Sequence, residues 1–234
     1  MAKLTIQELK ALKGKRQIIV TTAEDANTAK ACELAGVDNI VAFDVLMASK
    51  AAPNVLITGI ISFADARISD ETTVRRACGL INEGASLVYT MDMEPKRVEI
   101  LARQSIGCVG HVGLVPYLST WFGGFRAVGK TAREAIAVYE KARTLQDAGI
   151  IAIEMECIPS RIASEISKRL EILVFSMGSG PGCDGQYLFS SDLFGSHDGH
   201  YPRHAIKYGN FFNDSIKILK QFKSDVECGA YPAD

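Results

Sequence analysis

The chain has 234 residues, of which 47% are hydrophobic and 23% are charged, the composition of an ordinary globular protein with a sizeable core. Its formal net charge is −1, so the protein has no overall positive field that would attract it to nucleic acid or to anionic membranes. The composition therefore favours an enzyme that acts on a small molecule, or a neutral interaction module.

The cysteines and the N-terminal segment both indicate a cytoplasmic protein. The six cysteines are spread along the chain without a CxxC pair, and a free cysteine in an apolar stretch behaves as a small buried hydrophobe. The N-terminal segment is charged and predicted to be helical, unlike a signal peptide. Since no apolar run approaches the ~18 residues of a membrane span, we expect neither a membrane nor a nucleic-acid partner.

Short apolar runs alternate with longer amphipathic stretches along the whole chain. Near-continuous apolar runs are typical of parallel strands covered by helices, and they predict strands at residues 17–23, 39–45, 54–61, 86–91, 106–114, 150–158 and 172–177. The amphipathic stretches predict helices at residues 25–35, 70–83, 95–103, 131–148, 160–170 and 214–226. Repeated strand–helix units predict one parallel sheet, either closed as a barrel or open and doubly wound.

Local features support most of these boundaries but not all. Thr131 with Glu134 predicts a capping box, and Gly36 follows the end of a predicted helix. Only residues 46–53 join the second and third strands, although a parallel crossover usually needs about a dozen residues. Either that unit has lost its helix or a strand boundary is wrong. With no repeat or linker, we predict a single domain over residues 1–234.

Asp44 is predicted to lie at the end of the second strand. A barrel places its active site at the carboxyl ends of its strands, so this carboxylate is a candidate ligand for a divalent metal ion or for substrate. Aspartate also commonly caps a helix or a turn, and the sequence leaves both alternatives open.

The sixth predicted strand carries two glutamates, Glu154 and Glu156. Side chains alternate between the faces of a strand, so if Ile153 and Met155 meet the helices, both glutamates point into the barrel. A buried carboxylate needs a partner or becomes a proton-transfer group with a raised pKa. Glu156, nearer the carboxyl end, is the candidate acid/base. Glu154 is expected to form a structural pair, with His111 or an arginine as partner.

One of the four histidines lies in a predicted strand. His111 is inside or at the end of the fifth strand, where it is either a hydrogen-bonded core histidine or a substrate contact. The other three follow an HxxHxxxH spacing that could suggest zinc. Because no cysteine or clear helix accompanies them, we do not predict a zinc site at His197, His200 and His204.

A glycine-rich stretch, residues 178–182, follows the seventh predicted strand. It is not a G-x-G-x-x-G fingerprint followed by a helix. Its backbone N–H groups could hold an anionic group as a nest does, which makes Gly178 and Ser179 candidate substrate-binding residues. A plain turn after a strand explains the stretch equally well.

Nine motifs occur in a particular order and together cover nearly the whole chain: VTTAED (20–25), Asp44, GHVGL (110–114), FGG (122–124), ECIP (156–159), GSG (178–180), DGQ (184–186), GHYP (199–202) and ECGAYP (227–232). This order resembles the ketopantoate hydroxymethyltransferase family. The resemblance implies a (β/α)8 TIM barrel of the phosphoenolpyruvate mutase/isocitrate lyase superfamily. It also implies a homo-oligomer that transfers a hydroxymethyl group from methylenetetrahydrofolate to the enolate of a branched 2-oxo acid, using Mg²⁺.

By this resemblance, Asp44 falls on a metal-binding aspartate and Glu156 on the catalytic base. Four other positions depart from the family: Val45 replaces a serine, Ile60 the second metal aspartate, Tyr89 the lysine for the substrate carboxylate, and Met91 a metal-associated glutamate. The candidate substrate-binding residues are Asp44, Val45, Tyr89, His111, Gly178 and Ser179. The family also has roughly two dozen more residues after the second strand, so we expect that connection to be shortened and to hold no complete helix.

The departures predict an altered substrate. The leading hypothesis is an aldol or retro-aldol enzyme that acts on a small oxo compound through Glu156. The second is a carbon–carbon lyase or a decarboxylase of the same superfamily, which metal dependence and product analysis would distinguish. The third is a non-catalytic barrel that serves as a binding or assembly protein, since a barrel alone does not determine function.

Overall fold

A computed structural model of the protein describes residues 3–232, and eight of its strands form a closed barrel. Neighbouring strands pair in parallel, in the order of the chain. The predicted (β/α)8 barrel is therefore confirmed. Its strands are β1 (Ile18–Thr22), β2 (Asn39–Ala42), β3 (Leu56–Ile61), β4 (Leu87–Thr90), β5 (Cys108–Gly113), β6 (Ala152–Glu156), β7 (Leu173–Met177) and β8 (Gly185–Leu188).

Ten α-helices are described, together with a 3-10 helix at Pro116–Phe122. The six predicted helices are observed with ends no more than three residues from those expected. The α-helices are α1 (Ile6–Lys10), α2 (Ala26–Ala35), α3 (Val45–Ala51), α4 (Asp65–Ile68), α5 (Asp70–Asn82), α6 (Pro95–Arg103), α7 (Ala132–Asp147), α8 (Ser160–Arg169), α9 (Ser190–Phe194) and α10 (Phe211–Glu227).

The core has two layers, because successive side chains of a strand face opposite sides of the barrel wall. The outer layer lies between the strands and the helices, and includes Ile153 of β6 with Leu145 of α7. The inner layer fills the barrel, and includes Val109 of β5, Phe175 of β7 and Tyr89 of β4. The interior is therefore a packed core, as in other barrels of this kind.

The connection between β2 and β3 differs from the expectation. We predicted no complete helix over residues 46–53, but α3 occupies Val45–Ala51, just under two turns. This short helix forms because β2 already ends at Ala42 and the Asp44 carboxylate accepts a hydrogen bond from the N–H of Met47. Residues 43–55 thus form a connection of about a dozen residues, enough for a parallel crossover.

The predicted capping box of α7 is half formed. The Thr131 hydroxyl accepts from the N–H of Glu134 over 3.2 Å. The Glu134 carboxylate does not return to the backbone of Thr131 but accepts from the N–H groups of Gly129 and Lys130 at 3.1 and 2.9 Å. The carboxylate therefore orders the segment that leads into the helix, where Arg126 also pairs with it at 2.6 Å.

By its contacts the chain groups into two compact units, one ending at Tyr187 and the other beginning at Leu188. The second unit contains α9 and α10. The single domain over residues 1–234 stays a prediction, and its four terminal residues lie outside the described range. None of the helices within residues 3–232 combines the length and hydropathy that a membrane span requires.

Candidate active site

The two glutamates of β6 lie on the face of the strand opposite Ile153 and Met155. Those two apolar side chains are fully buried in the outer core layer. Glu154 is buried, whereas Glu156, the last residue of β6, is half-buried. The strand register sets Glu154 beside His111 of β5, so this histidine and both glutamates meet on the inner side of the barrel wall. Glu156 is the member nearest the carboxyl end.

Tyr89 connects the histidine to the deeper glutamate. Its hydroxyl lies 2.6 Å from Oε2 of Glu154 and donates to it. The same oxygen lies 2.8 Å from Nδ1 of His111. Of the partners that the sequence allowed for Glu154, the structure thus provides His111, but through the tyrosine hydroxyl rather than by a direct hydrogen bond.

The second ring nitrogen of His111 faces the carboxyl end of the barrel. Nε2 lies 2.8 Å from the carbonyl oxygen of Leu114 and 3.3 Å from Oε2 of Glu156. Leu114 is in turn held in place because its N–H donates to the carbonyl of Glu156 over 2.9 Å. A continuous chain of contacts therefore runs from Glu154 through Tyr89 and His111 to Glu156.

Burial and neighbouring charges raise the pKa values of three residues in this series of contacts, His111, Glu154 and Tyr89. Burial by itself lowers the pKa of His111, but Glu154 and Glu156 outweigh it, and the net shift is upward. Burial raises the pKa of Glu154, an effect that His111 and the Tyr89 hydrogen bond partly oppose. Burial and the charge of Glu154 raise the pKa of Tyr89 well above its usual range, so its hydroxyl keeps its proton.

Asp44 does not join this cluster. Its side chain is exposed and accepts a hydrogen bond from the N–H of Met47 over 2.8 Å, as the N-cap of α3. It lines a groove of about 340 Å³ between α3 and α5, whose walls are Phe43, Asp44, Leu46, Arg76, Gly79, Leu80 and Glu83. Asp44 follows the carboxyl end of β2 and Glu156 is the last residue of β6, but that groove includes no member of the glutamate–histidine cluster.

Three further candidate substrate-binding residues have structural roles in the barrel. Val45 is fully buried in the outer core layer. Gly178 adopts a left-handed conformation with φ of 68° directly after β7. The buried Ser179 hydroxyl donates to the carbonyl of Met155 at 2.7 Å and accepts from the N–H of Ile158 at 2.9 Å. This hydroxyl therefore ties the end of β6 to the loop after β7.

The remaining departures from the family pattern face the barrel interior. Ile60 and Met91 are half-buried and pack against the inner core layer, to which Tyr89 also belongs. Ile60 pairs directly with Tyr89 in the register of β3 and β4. The family pattern has an aspartate, a lysine and a glutamate at these three positions. In this protein the same wall of the barrel carries two hydrocarbon side chains and a neutral hydroxyl.

The resemblance implies a magnesium ion, and the possible metal ligands of this chain show whether such an ion fits. Ligand atoms of His111, Glu154 and Glu156 lie within 4.8 Å of one another, a spacing that a metal ion could bridge. Magnesium prefers an octahedral set of oxygen ligands, whereas both nitrogens of His111 already contact oxygen atoms of the protein. Asp44 is bonded to its helix, and Ile60 offers no ligand. These residues do not fit the predicted magnesium site.

The backbone and strand β8 also contribute to this region. The carbonyl of Leu114 could not be recognised from residue type. Tyr187 of β8 is buried, and burial together with the charges of Glu154 and Glu156 raises its pKa well above the usual range. The DGQ motif that precedes it was the only sequence feature that pointed to this position. In the second unit, Nε2 of His197 lies 3.0 Å from Asp192.

A closed (β/α)8 barrel with carboxylates and a histidine at the carboxyl end of its strands is typical of an enzyme that uses acid–base chemistry. A sequence model of the ketopantoate hydroxymethyltransferase family matches residues 41–234. The 3-methyl-2-oxobutanoate hydroxymethyltransferase of Syntrophomonas wolfei is 31% identical, with 100% of this chain and 95% of that protein covered. The enzyme of the same name from Staphylothermus marinus is 32% identical, with 99% and 94% covered.

The protein belongs to the ketopantoate hydroxymethyltransferase family and is thus an enzyme, an aldol-type transferase. Among solved structures, 2,3-dimethylmalate lyase, a member of the PEP mutase/isocitrate lyase superfamily, matches with a TM-score of 0.62 at 13% identity, over 99% of this chain and 87% of that one. A structure described as a phosphonomutase of Burkholderia cenocepacia has the same TM-score at 12% identity, over 96% and 98%. These two similarities show the shared fold.

Proposed function

We propose that the protein transfers a one-carbon unit to a small oxo compound, with Glu156 as the base that removes a proton from the carbon next to the carbonyl group. The observation that carries this proposal is the position of Glu156, half-buried at the carboxyl end of β6 and 3.3 Å from His111. By resemblance, the one-carbon donor is methylenetetrahydrofolate.

The acceptor is proposed to differ from the 2-oxo acid named in the relatives. The supporting observation is that Ile60 and Met91 present hydrocarbon, and Tyr89 a neutral hydroxyl, to the barrel interior. Each lost charge-assisted contact to an anionic substrate is worth about 1.5–3 kcal/mol. Since about 1.4 kcal/mol is a tenfold change in rate, two such losses cost orders of magnitude with a branched 2-oxo acid. We therefore expect an acceptor with less negative charge, such as an aldehyde or a ketone.

A homo-oligomer in the cytoplasm is the proposed working form. All the apolar residues of α10, Phe211–Glu227, fall on one face of that helix by its 3.6-residue period, and no residue of α10 is buried. Ile218 and Leu219 are 68% and 64% exposed, which favours a second copy of the chain as the cover of this face. Within the described residues, Cys32, Cys78, Cys108, Cys183 and Cys228 form no disulfide, as is usual for cytoplasmic proteins.

Proton exchange tests the proposed base without knowledge of the acceptor. Small aldehydes, ketones and 2-oxo acids would be incubated with the protein in D2O, and loss of the proton next to the carbonyl followed by NMR. We expect exchange with the wild type, loss of exchange in Glu156→Gln, and no change in Glu165→Gln, an exposed glutamate of α8. Equal exchange in the wild type and Glu156→Gln would exclude Glu156 as the base.

The altered substrate has its own test. Purified protein would be assayed with 2-oxoisovalerate, methylenetetrahydrofolate and Mg²⁺, and we expect little or no ketopantoate. Turnover of about one per second or faster, within the ordinary range of enzymes, would contradict the proposal. If that turnover were also lost in Asp44→Ala and Glu156→Gln, the result would support the ordinary reaction of the family and its magnesium site.

A further inference from the structure

The protons on the Tyr89–His111 pair can be assigned from their neighbours. The carbonyl oxygen of Leu114 has no proton to give, and it lies 2.8 Å from Nε2 of His111. At that distance Nε2 must carry the hydrogen of the bond. Oε2 of Glu156, 3.3 Å from the same nitrogen, is a second acceptor when the carboxylate is ionised. One proton of His111 is thus fixed on Nε2.

The other ring nitrogen faces a hydroxyl whose single proton is already used. With Glu154 ionised, Tyr89 donates to its Oε2 over 2.6 Å, so the tyrosine oxygen can only accept from Nδ1 of His111, 2.8 Å away. Nδ1 must then carry a proton as well. An imidazole with protons on both nitrogens is an imidazolium, with a full positive charge.

We infer that His111 is an imidazolium at neutral pH, held in that state by Tyr89 and Glu154, and that it supplies the positive charge beside Glu156 which magnesium and a lysine would supply in a site of the family's ordinary composition. His111 acts as a positioning residue, because its ring protons are bonded within the protein. Its charge stabilises an enolate that forms next to it. The catalytic part of this inference rests on the proposed function, whereas the charge state does not.

The surroundings of His111 agree with a cation there. Two carboxylates, Glu154 and Glu156, face it from β6, and Tyr89 faces it from β4. Within residues 3–232, no lysine or arginine forms an ion pair with either glutamate. An imidazolium therefore leaves the cluster with one excess negative charge, whereas a neutral imidazole beside two ionised glutamates would leave two, at a greater cost of burial.

A competing arrangement has a different proton count on the histidine. Burial raises the pKa of Glu154, and a protonated Glu154 could donate to the oxygen of Tyr89, which would then donate to Nδ1. His111 would be neutral, with its only ring proton on Nε2. The protonation of Nδ1 on His111 therefore distinguishes the two arrangements.

The test is NMR of the full-length protein labelled with 15N-histidine and treated with a chelator, at pH 7.5. The chain has four histidines, and the His111 resonances are those missing from His111→Gln. We expect protons on both ring nitrogens of His111, although an unperturbed imidazole with a pKa of about 6.5 is mostly neutral at this pH. A bare Nδ1 in the wild type would overturn the inference, even if the enzyme were active.

Variants and added metal complete the test. Glu154→Gln removes the charge that holds the imidazolium, so we expect His111 to become neutral at pH 7.5, while Glu165→Gln leaves its spectrum unchanged. Adding Mg²⁺ should leave the His111 resonances in place. Displacement of these resonances by Mg²⁺ would overturn the inference, since the ion would then occupy the position assigned to the imidazolium. Because none of these measurements uses turnover, failure of the proposed reaction would be recognised separately.

Discussion

Tyr89 and Glu154 are joined across the interior of the barrel, where the tyrosine hydroxyl donates to the carboxylate over 2.6 Å. Their strands, β4 and β6, are not neighbours, because β5 lies between them. The bond therefore links two parts of the wall that share no backbone hydrogen bonds. Both side chains are buried, so water has little access to replace the bond when it is lost.

Removal of the Tyr89 hydroxyl should destabilise the protein. In Tyr89→Phe, Glu154 loses its donor and Nδ1 of His111 loses its acceptor, and a buried polar group without a partner costs about 1–3 kcal/mol. Urea unfolding would measure this loss. The control, Tyr208→Phe, changes a side chain that is 80% exposed and should stay within about 0.5 kcal/mol of wild type. Equal, small effects of both substitutions would contradict the predicted role of the hydroxyl.

Gly113→Ala should disturb the site through the backbone. A Cβ at Gly113 would lie 2.2 Å from the carbonyl oxygen of Glu156 and 2.8 Å from Ile158, in a residue with φ of 93°. The end of β6 must then move, at a cost of about 1–3 kcal/mol for overpacking in addition to the backbone strain. Gly123 has a similar φ of 76°, but a Cβ there would have no atom within 4 Å. Gly123→Ala therefore measures the backbone strain without the close contact. If the two variants were equally stable, the close contact would have no effect.

The fold was largely predictable because the hydrophobic pattern determines which side of each strand is covered. Seven of the eight strands and the barrel class follow from apolar runs and from the resemblance. The eighth strand, Gly185–Leu188, was missed because it is short and its residues alternate between buried and half-buried positions. The helix at Val45–Ala51 was missed because the apolar run of β2 continues past its last paired residue.

The site was predictable only up to the face on which each side chain lies. Period-2 alternation placed Glu154 and Glu156 inward, and their burial agrees with this. The bond between Tyr89 and Glu154 could not be predicted, since 65 residues separate them and the stagger of the closed barrel decides which inward side chains meet. The same stagger brings Nε2 of His111 to Glu156, whereas residue types alone left His111 a core residue or a substrate contact.

Stability at acid pH should depend on Glu134. The hydrogen bond from Arg126, together with the N–H groups of Lys130 and Gly129, lowers the pKa of this carboxyl from 4.5 to about 2. A lowered pKa means that the folded state holds the ionised form. The resulting stabilisation is complete above about pH 4.5 and is lost as the pH falls toward 2. In thermal unfolding, Glu134→Gln should have a lower Tm than wild type at pH 7, with a smaller difference at pH 3. A difference that grows on acidification would contradict the assignment.

Two substitutions of Asp44 distinguish a helix cap from a metal ligand. Its carboxylate accepts from the N–H of Met47 over 2.8 Å at the start of α3, and asparagine caps a helix about as well as aspartate does. Asp44→Ala should therefore cost about 0.5–2 kcal/mol in urea unfolding, while Asp44→Asn should remain close to wild type. A metal ligand behaves differently, because asparagine removes the charge that holds a divalent ion. Proton exchange by Asp44→Asn should equal that of the wild type, with or without Mg²⁺. A folded Asp44→Asn protein that has lost Mg²⁺-dependent exchange would show that the carboxylate binds the ion.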